Sequence, residues 1–233
     1  MKKTMRNCTL ILMSLAMVIL NSCKKSDETP VIVSDADGNI YKTITIGDQV
    51  WMMENLKTTK YSNGDLIGTS ASPLEDLSGE NTPKYQWAYS GDETKVTDYG
   101  RLYTWYTVND SRNVCPTGWH VPTEAEWNTL TEELGGTYVA GGKLKASGTD
   151  FWNSPNDGAT NVTYFTAMPA GYREYSGQFS GLGNYGKWWS ATENTPDNAN
   201  AKTFNVDTYT TYANSSYNNK KTGFSVRCLW DKK

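Results

Sequence analysis

The chain has 233 residues with one histidine, four cysteines and 25 acidic side chains, and any chemistry would have to be built from these groups. A single imidazole, His120, does not make a His-rich zinc or iron centre, which needs several. A Ser-His-Asp or Cys-His catalyst would have to recruit the same ring. His120 lies between Trp119 and Val121-Pro122, directly before the start of a helix, where packing and hydrogen bonding account for it. Glu124, Glu126, Glu174 and Glu193 are available as paired carboxylates for glycoside hydrolysis. Negative charge at a helix start already explains Glu124 and Glu126, and nothing singles out an acid–base pair. The residues identify no catalytic constellation, and the expectation is a protein that is not an enzyme.

The cysteines divide by position. Lys2, Lys3 and Arg6 precede an apolar stretch from Leu10 to Leu20 broken only by Ser14. Eleven residues are too few for a bilayer, which takes about 20, so the stretch reads as a signal-peptide core. Leu20-Asn21-Ser22-Cys23 closes it and resembles a bacterial lipobox, in which Cys23 becomes the lipid-bearing N-terminus. The alternative is an ordinary secretory signal with an accidental cysteine. Lys24 is not the aspartate that retains such proteins at the inner membrane, so the resemblance implies the outer membrane, with Asp27-Glu28 pointing to its outer surface. Cys8 leaves with residues 1–22, and Cys115 and Cys228 remain in an oxidising compartment, where pairing is expected. The alternative is two buried, unpaired thiols.

Removing residues 1–22 takes three basic and no acidic residues from 22 Lys+Arg and 25 Asp+Glu, which leaves 19 against 25, a formal charge of −6. An acidic chain without a basic stripe is a poor binder of phosphate backbones, so nucleic acid is not an expected partner. What is abundant is aromatic: nine Trp, 15 Tyr and five Phe, all beyond the signal segment. Sugar rings lay their apolar faces on Trp and Tyr, while Asn, Asp, Glu and Arg engage hydroxyls. The richest stretches supply the candidate ligand contacts: Trp152 with Asn156 and Asp157, Tyr172-Arg173-Glu174, and Trp188-Trp189 with Glu193. Strand alternation puts Trp188 and Trp189 on opposite faces, which allows one in the core and one exposed; the alternative is that most of these aromatics are core. Tyr209, Tyr212 and Tyr217, set among Thr, Asn and Ser, are expected at the surface. No cofactor is expected. A structural calcium at Asn156-Asp157 or Glu193-Asn194 is the one option, and the sugar-binding triplets of calcium-dependent animal lectins are absent.

These residues must be positioned by short elements. Residues 23–34 read as a tether and 35–233 as one domain. Asp35 to Asn39 is a tight turn, not an EF-hand loop, because its glycine stands fourth and Ile46 twelfth. Ile40, Ile44 and Ile46 alternate with Tyr41 as in a half-buried strand, and Val50 to Met53 returns as its partner after Gly47-Asp48. Asn63-Gly64 is a turn and 68–84 an exposed loop. Thr123 and Glu126 form a capping box for a helix over 124–134, with Trp127, Leu130 and Leu134 on one face and Gly135-Gly136 as the stop. Tyr99 to Val108 reads as a second helix or a strand. Phe165–Tyr172, Lys187–Thr192, Thr203–Val206 and Phe224–Leu229 are strand candidates. Few helices, many short strands and long loops make an α+β domain.

Several blocks carry a resemblance. Asp35-to-Asn39, Gln49-to-Leu56, Gly100-to-Trp105, Cys115-to-Trp127, Gly141-to-Leu144, Gly171-Tyr172-Arg173, Trp188-to-Glu193 and Gly223-to-Cys228 resemble the Fib-succ-major (FISUMP) domain of bacterial surface lipoproteins, from about 35 to 230. That family is defined by sequence and implies no reaction. More distantly, Val121 to Trp127 and Gly223 to Arg227 resemble signatures of the formylglycine-generating, sulfatase-modifying family, whose fold is a variant of the C-type lectin fold. The resemblance implies a single C-type-lectin-like domain of short antiparallel strands, one or two helices and long loops. The oxidase chemistry of that family uses two reactive cysteines near the C-terminus, and no second cysteine lies within a hundred residues upstream of Cys228. The expected function is therefore binding at the cell envelope, of an extracellular polysaccharide or a surface partner protein, with the membrane engaged through the N-terminal lipid. The alternative is a structural component of a surface assembly, and an enzyme related to the oxidase comes third.

Overall fold

A computed structural model describes residues 33–194 and 199–232. The expected leader over 1–22, the lipid-bearing Cys23 and the tether through residue 32 lie outside them. In chain order the elements are β1 (Val33–Ser34), β2 (Ile40–Tyr41), β3 (Thr43–Ile46), β4 (Gln49–Met52), β5 (Gln86–Trp87), α1 (Val96–Tyr99), β6 (Leu102–Tyr103), α2 (Trp105–Val108) and β7 (Trp119–His120). They continue with α3 (Glu124–Glu133), α4 (Thr137–Leu144), β8 (Ala170–Arg173), β9 (Phe179–Leu182), β10 (Tyr185–Glu193), β11 (Asn200–Asp207), β12 (Asn214–Asn219) and β13 (Leu229–Trp230). The fold is α+β, with antiparallel sheets. Two order as β3-β4-β13-β7 and β10-β11-β12, and three are two-stranded. No described helix is long and apolar enough to cross a membrane.

The first sheet joins the ends of the described chain, because β13 lies between β4 and β7. Cys115, just before β7, is bonded to Cys228, just before β13, across 113 residues. Both sulfurs are fully buried. Helix α3 starts where the sequence places it. The Thr123 hydroxyl accepts from the Glu126 N–H, and the Glu126 carboxylate accepts from the Thr123 N–H at 2.8 Å. Its apolar face buries Trp127, Leu130 and Leu134, and the Trp127 ring stacks on Phe204 of β11 at 4.3 Å.

Strand β10 decides the core. Trp188 packs with Trp51, Trp127 and Phe204 on one side, while Trp189 packs with Tyr103, Trp105 and Phe224 on the other. Alternation does put the two tryptophans on opposite faces, but both faces are covered, and both rings are fully buried. Each indole N–H finds an acceptor, Asn55 Oδ1 at 2.8 Å for Trp188 and the Tyr103 carbonyl at 2.7 Å for Trp189. The expectation that one of them reaches solvent is corrected. Arg227 is buried beside this cluster, 4.2 Å from the Phe165 ring and donating to Asn55 Oδ1 at 2.7 Å. Burial pushes its guanidinium down to about 9.

Other expectations shift for local reasons. Tyr99 to Val108 holds the last residue of α1, then strand β6 and the single turn of α2. Gly100 divides them at φ +72°, and a Cβ there would stand 2.6 Å from that of Asn55. In the first strand the faces are reversed at the start: Ile40 is 65% exposed, while Tyr41 is buried and donates to Asp35 Oδ2 at 2.6 Å. Phe165 to Tyr172 makes a single parallel bridge at Ala167 before β8 starts at Ala170, and Phe224 to Leu229 is held by single bridges until Leu229. Helix α4 was not expected from its glycine-rich sequence.

Candidate functional site

The sequence candidates fall in three separate places. Arg173, in β8, is fully buried against the Trp87 ring at 4.2 Å and donates to the Pro73 carbonyl at 2.8 Å, pinning the 68–84 loop. It is a structural clamp, not a surface contact. Tyr172 and Glu174 beside it are half-buried, and Lys187 lies over the Tyr172 ring at 4.8 Å. Trp188 and Trp189 are core, and Glu193 at the end of β10 pairs with the buried Lys220. Trp152 is buried, with its N–H on the Ala167 carbonyl at 3.0 Å. Asn156 is buried too, so of the first group only Asp157 reaches solvent.

Trp152, Asn156 and Asp157 nevertheless lie beneath the most exposed aromatic surface. Three segments meet there: α4, the loop around 153–160, and the loop 207–213. The Thr211 hydroxyl donates to the Tyr138 carbonyl at 2.5 Å, the Gly142 N–H to the Thr211 carbonyl at 3.2 Å, and the Ala213 N–H to the Thr137 carbonyl at 2.9 Å. Such contact between backbones requires glycine. A Cβ on Gly141 would lie 2.1 Å from the Tyr212 oxygen, and one on Gly142 would lie 2.5 Å from the Gly158 oxygen. The second loop is joined to the third through Asp157 N–H to the Thr208 carbonyl at 2.9 Å.

Lys145 ties the loops together from below. It is fully buried, and its ammonium donates to the carbonyls of Asp157 and Asp207 at 2.9 Å and of Thr210 at 2.8 Å. Three donors meet three carbonyls, so the cation is satisfied by hydrogen bonds without a carboxylate contact. Burial pushes its pKa below the ordinary lysine value, against the pull of Asp207 and Asp157. Asn156 adds a second anchor, donating to the carbonyls of Ala146 and Gly148 at 3.0 and 2.7 Å. In the stretch considered for calcium, converging carbonyls therefore face an ammonium. Among the described residues no group of three His, Cys, Asp or Glu could hold a metal ion.

On this backing the Tyr138 and Tyr212 rings meet edge to face at 5.1 Å, 71% and 42% exposed, with Tyr209 at 59% on the same loop. The Asp207 carboxylate accepts from the N–H groups of Tyr209 and Thr210 at 2.8 and 2.9 Å, which fixes the loop that presents them. Two rigid aromatic faces amid threonine hydroxyls can stack on sugar rings or grip a protein surface. Tyr209, Tyr212 and Tyr217 are exposed as their polar surroundings suggested. Tyr138 and Lys145 were missed. The signal that could have found them is Gly141-Gly142, where paired glycines inside a helix mark a close backbone approach.

The family described as the Fibrobacter succinogenes major domain matches residues 44–230. No curated protein and no solved structure matches the chain.

Proposed function

The chain belongs to the Fibrobacter succinogenes major domain family, and on that footing we propose that it is a lipid-anchored protein of the outer membrane whose domain binds extracellular polysaccharide without catalysis. The observation that carries the reading is the exposed Tyr138–Tyr212 pair, with Tyr209 beside it, on a backing held by Lys145. Exposed aromatic rings of this size are costly to leave in water unless they meet a partner. A tripod of carbonyls on a lysine keeps them preorganised, which lowers the entropy lost on binding. The anchor rests on the lipobox-like Leu20 to Cys23. A C-type-lectin-like architecture is part of the same proposal, supported by the α+β arrangement and by the Val121–Trp127 and Gly223–Arg227 blocks.

A glycan array probed with the lipid-free domain tests the binding. Polysaccharide ligands are expected, and Tyr138→Ala and Tyr212→Ala should each weaken them about tenfold, which corresponds to about 1.4 kcal/mol. Silence across diverse glycans would sink the polysaccharide reading and leave a structural role in a surface assembly. For the anchor, Cys23→Ser should move the protein from the membrane to the soluble fraction, and protease shaving of intact cells should remove the wild-type domain.

A further inference from the structure

A second concavity, sharing no residue with the tyrosine surface, lies between the β3–β4 turn, β7, the start of α3 and β13. Its volume is about 360 Å³, within the range of small-molecule sites. Trp230 forms one wall. Alternation along β13 sends Leu229 into the core and leaves Trp230 42% exposed. Its indole makes no aromatic or cation–π contact among the described residues, whereas the rings of Trp51, Trp87, Trp105, Trp127, Trp188 and Trp189 all do.

The polar lining is ordered around His120. Nε2 faces Glu126 Oε1 at 2.9 Å, and Nδ1 faces Asp231 Oδ1. Glu126 is committed to this contact and to the helix cap. Burial opposes its ionisation, but hydrogen bonds from the Thr123 backbone and hydroxyl and from His120 outweigh that and hold it below the usual carboxylate range. Gln49 is committed as well, donating to the Glu126 carbonyl at 3.0 Å and accepting from the Trp51 indole at 3.3 Å. That leaves Asp48 and the outer oxygen of Asp231 to meet a ligand; the basic groups beside them are Lys232, 3.8 Å from the exposed Asp48 in a loose pair, and His120, which lies between Asp231 and Glu126. The lining thus offers acceptors and an aromatic face. It matches a molecule that brings donors, positive charge and an apolar ring face, and it repels carboxylates and phosphates.

We propose that this pocket binds the terminal residue of an amino sugar, its ring face on Trp230 and its free ammonium between Asp48 and Asp231. A pyranose is rigid and broad enough to cover an indole face. A lysine side chain would carry the same charge, but it must give up the freedom of a long stem and offers less area to stack. The site is independent of the tyrosine surface, so either can fail without the other.

The test is calorimetric titration of the lipid-free domain with the tetramer of glucosamine, its fully N-acetylated counterpart and tetralysine. The glucosamine tetramer should bind, the acetylated tetramer at least tenfold more weakly, and tetralysine more weakly than either. Trp230→Ala and Asp231→Asn should each reduce glucosamine binding at least tenfold, and Trp230→Tyr should retain part of it. Equal binding of the acetylated tetramer would overturn the ammonium assignment, and tighter binding of tetralysine the sugar assignment. No binding, or binding insensitive to Trp230→Ala, would overturn the site.

Discussion

Replacing Lys145 by methionine keeps the side chain as far as Cε and removes the ammonium that ties three segments together. Hydrogen bonds to a charged group contribute about 1.5–3 kcal/mol each, so three amount to roughly 5–9 kcal/mol before costs. Holding an ammonium out of water offsets several kcal/mol of that. The methionine variant regains the offset but leaves the carbonyls of Asp157, Asp207 and Thr210 without their lysine donor. The net loss should be about 3–5 kcal/mol, as when one partner of a buried pair is removed. Domains of this kind have roughly 5–15 kcal/mol of stability, so the variant should still fold. The damage should be concentrated where the tripod acts. Hydrogen exchange at the Asp157, Thr160 and Gly142 amides, each of which joins two of the segments, should accelerate by about two to four orders of magnitude at 1.4 kcal/mol per decade. Amides of β10 should change less. Lys145→Arg keeps the charge but presents a planar fork in place of a tripod, and it should fail almost as badly. Unchanged protection in both loops, or a stability loss under about 1 kcal/mol, would refute the argument that the ammonium preorganises the tyrosine surface.

Three further outcomes are expected. Changing both Cys115 and Cys228 to alanine opens a loop spanning 113 residues and should lower the stability measured by urea unfolding by about 4–5 kcal/mol; a loss under about 1 kcal/mol would show that the bridge adds little constraint to the unfolded chain. Gly141→Ala drives a methyl group to 2.1 Å from the Tyr212 carbonyl oxygen. It should cost about 1–3 kcal/mol in thermal unfolding and weaken glycan binding together with it. Asp110 is held well below the usual carboxylate range by hydrogen bonds from the Arg112 guanidinium, against burial and with help from Lys84. Because its folded value is depressed, its contribution is complete above the unfolded value of about 3.9 and is lost as pH falls from there toward the folded value. Asp110→Asn should therefore flatten the loss of stability below about pH 4, and an acid limb identical to that of the wild type would contradict the assignment.

Helix α3 was legible because its signal is local. Thr123 and Glu126 stand three residues apart, and their bonds form inside one turn. The β3–β4 hairpin was legible for the same reason, a two-residue turn between alternating runs. The segment from Tyr99 to Val108 was not, because what divides it is contact of Gly100 with Asn55, far away in sequence. The candidate site divides in the same way. Tyr209 and Tyr212 declare themselves through polar neighbours. Tyr138 acquires its place only by meeting Tyr212 across 74 positions, and His120 meets Asp231 across 111.

By itself the sequence determined the family, the α+β class, the cap of α3 and the wealth of aromatic rings. Only the tertiary structure decided which rings face water. Period-two alternation assigns Trp188 and Trp189 to opposite faces of β10, but it carries no information on how many layers cover the strand. Here Trp127 and Phe204 close one face, and Tyr103 and Phe224 close the other. Burial depends on what distant segments bring to a face. It therefore left the tryptophans of β10 in the core and put Tyr138, Tyr212 and Trp230 at the surface.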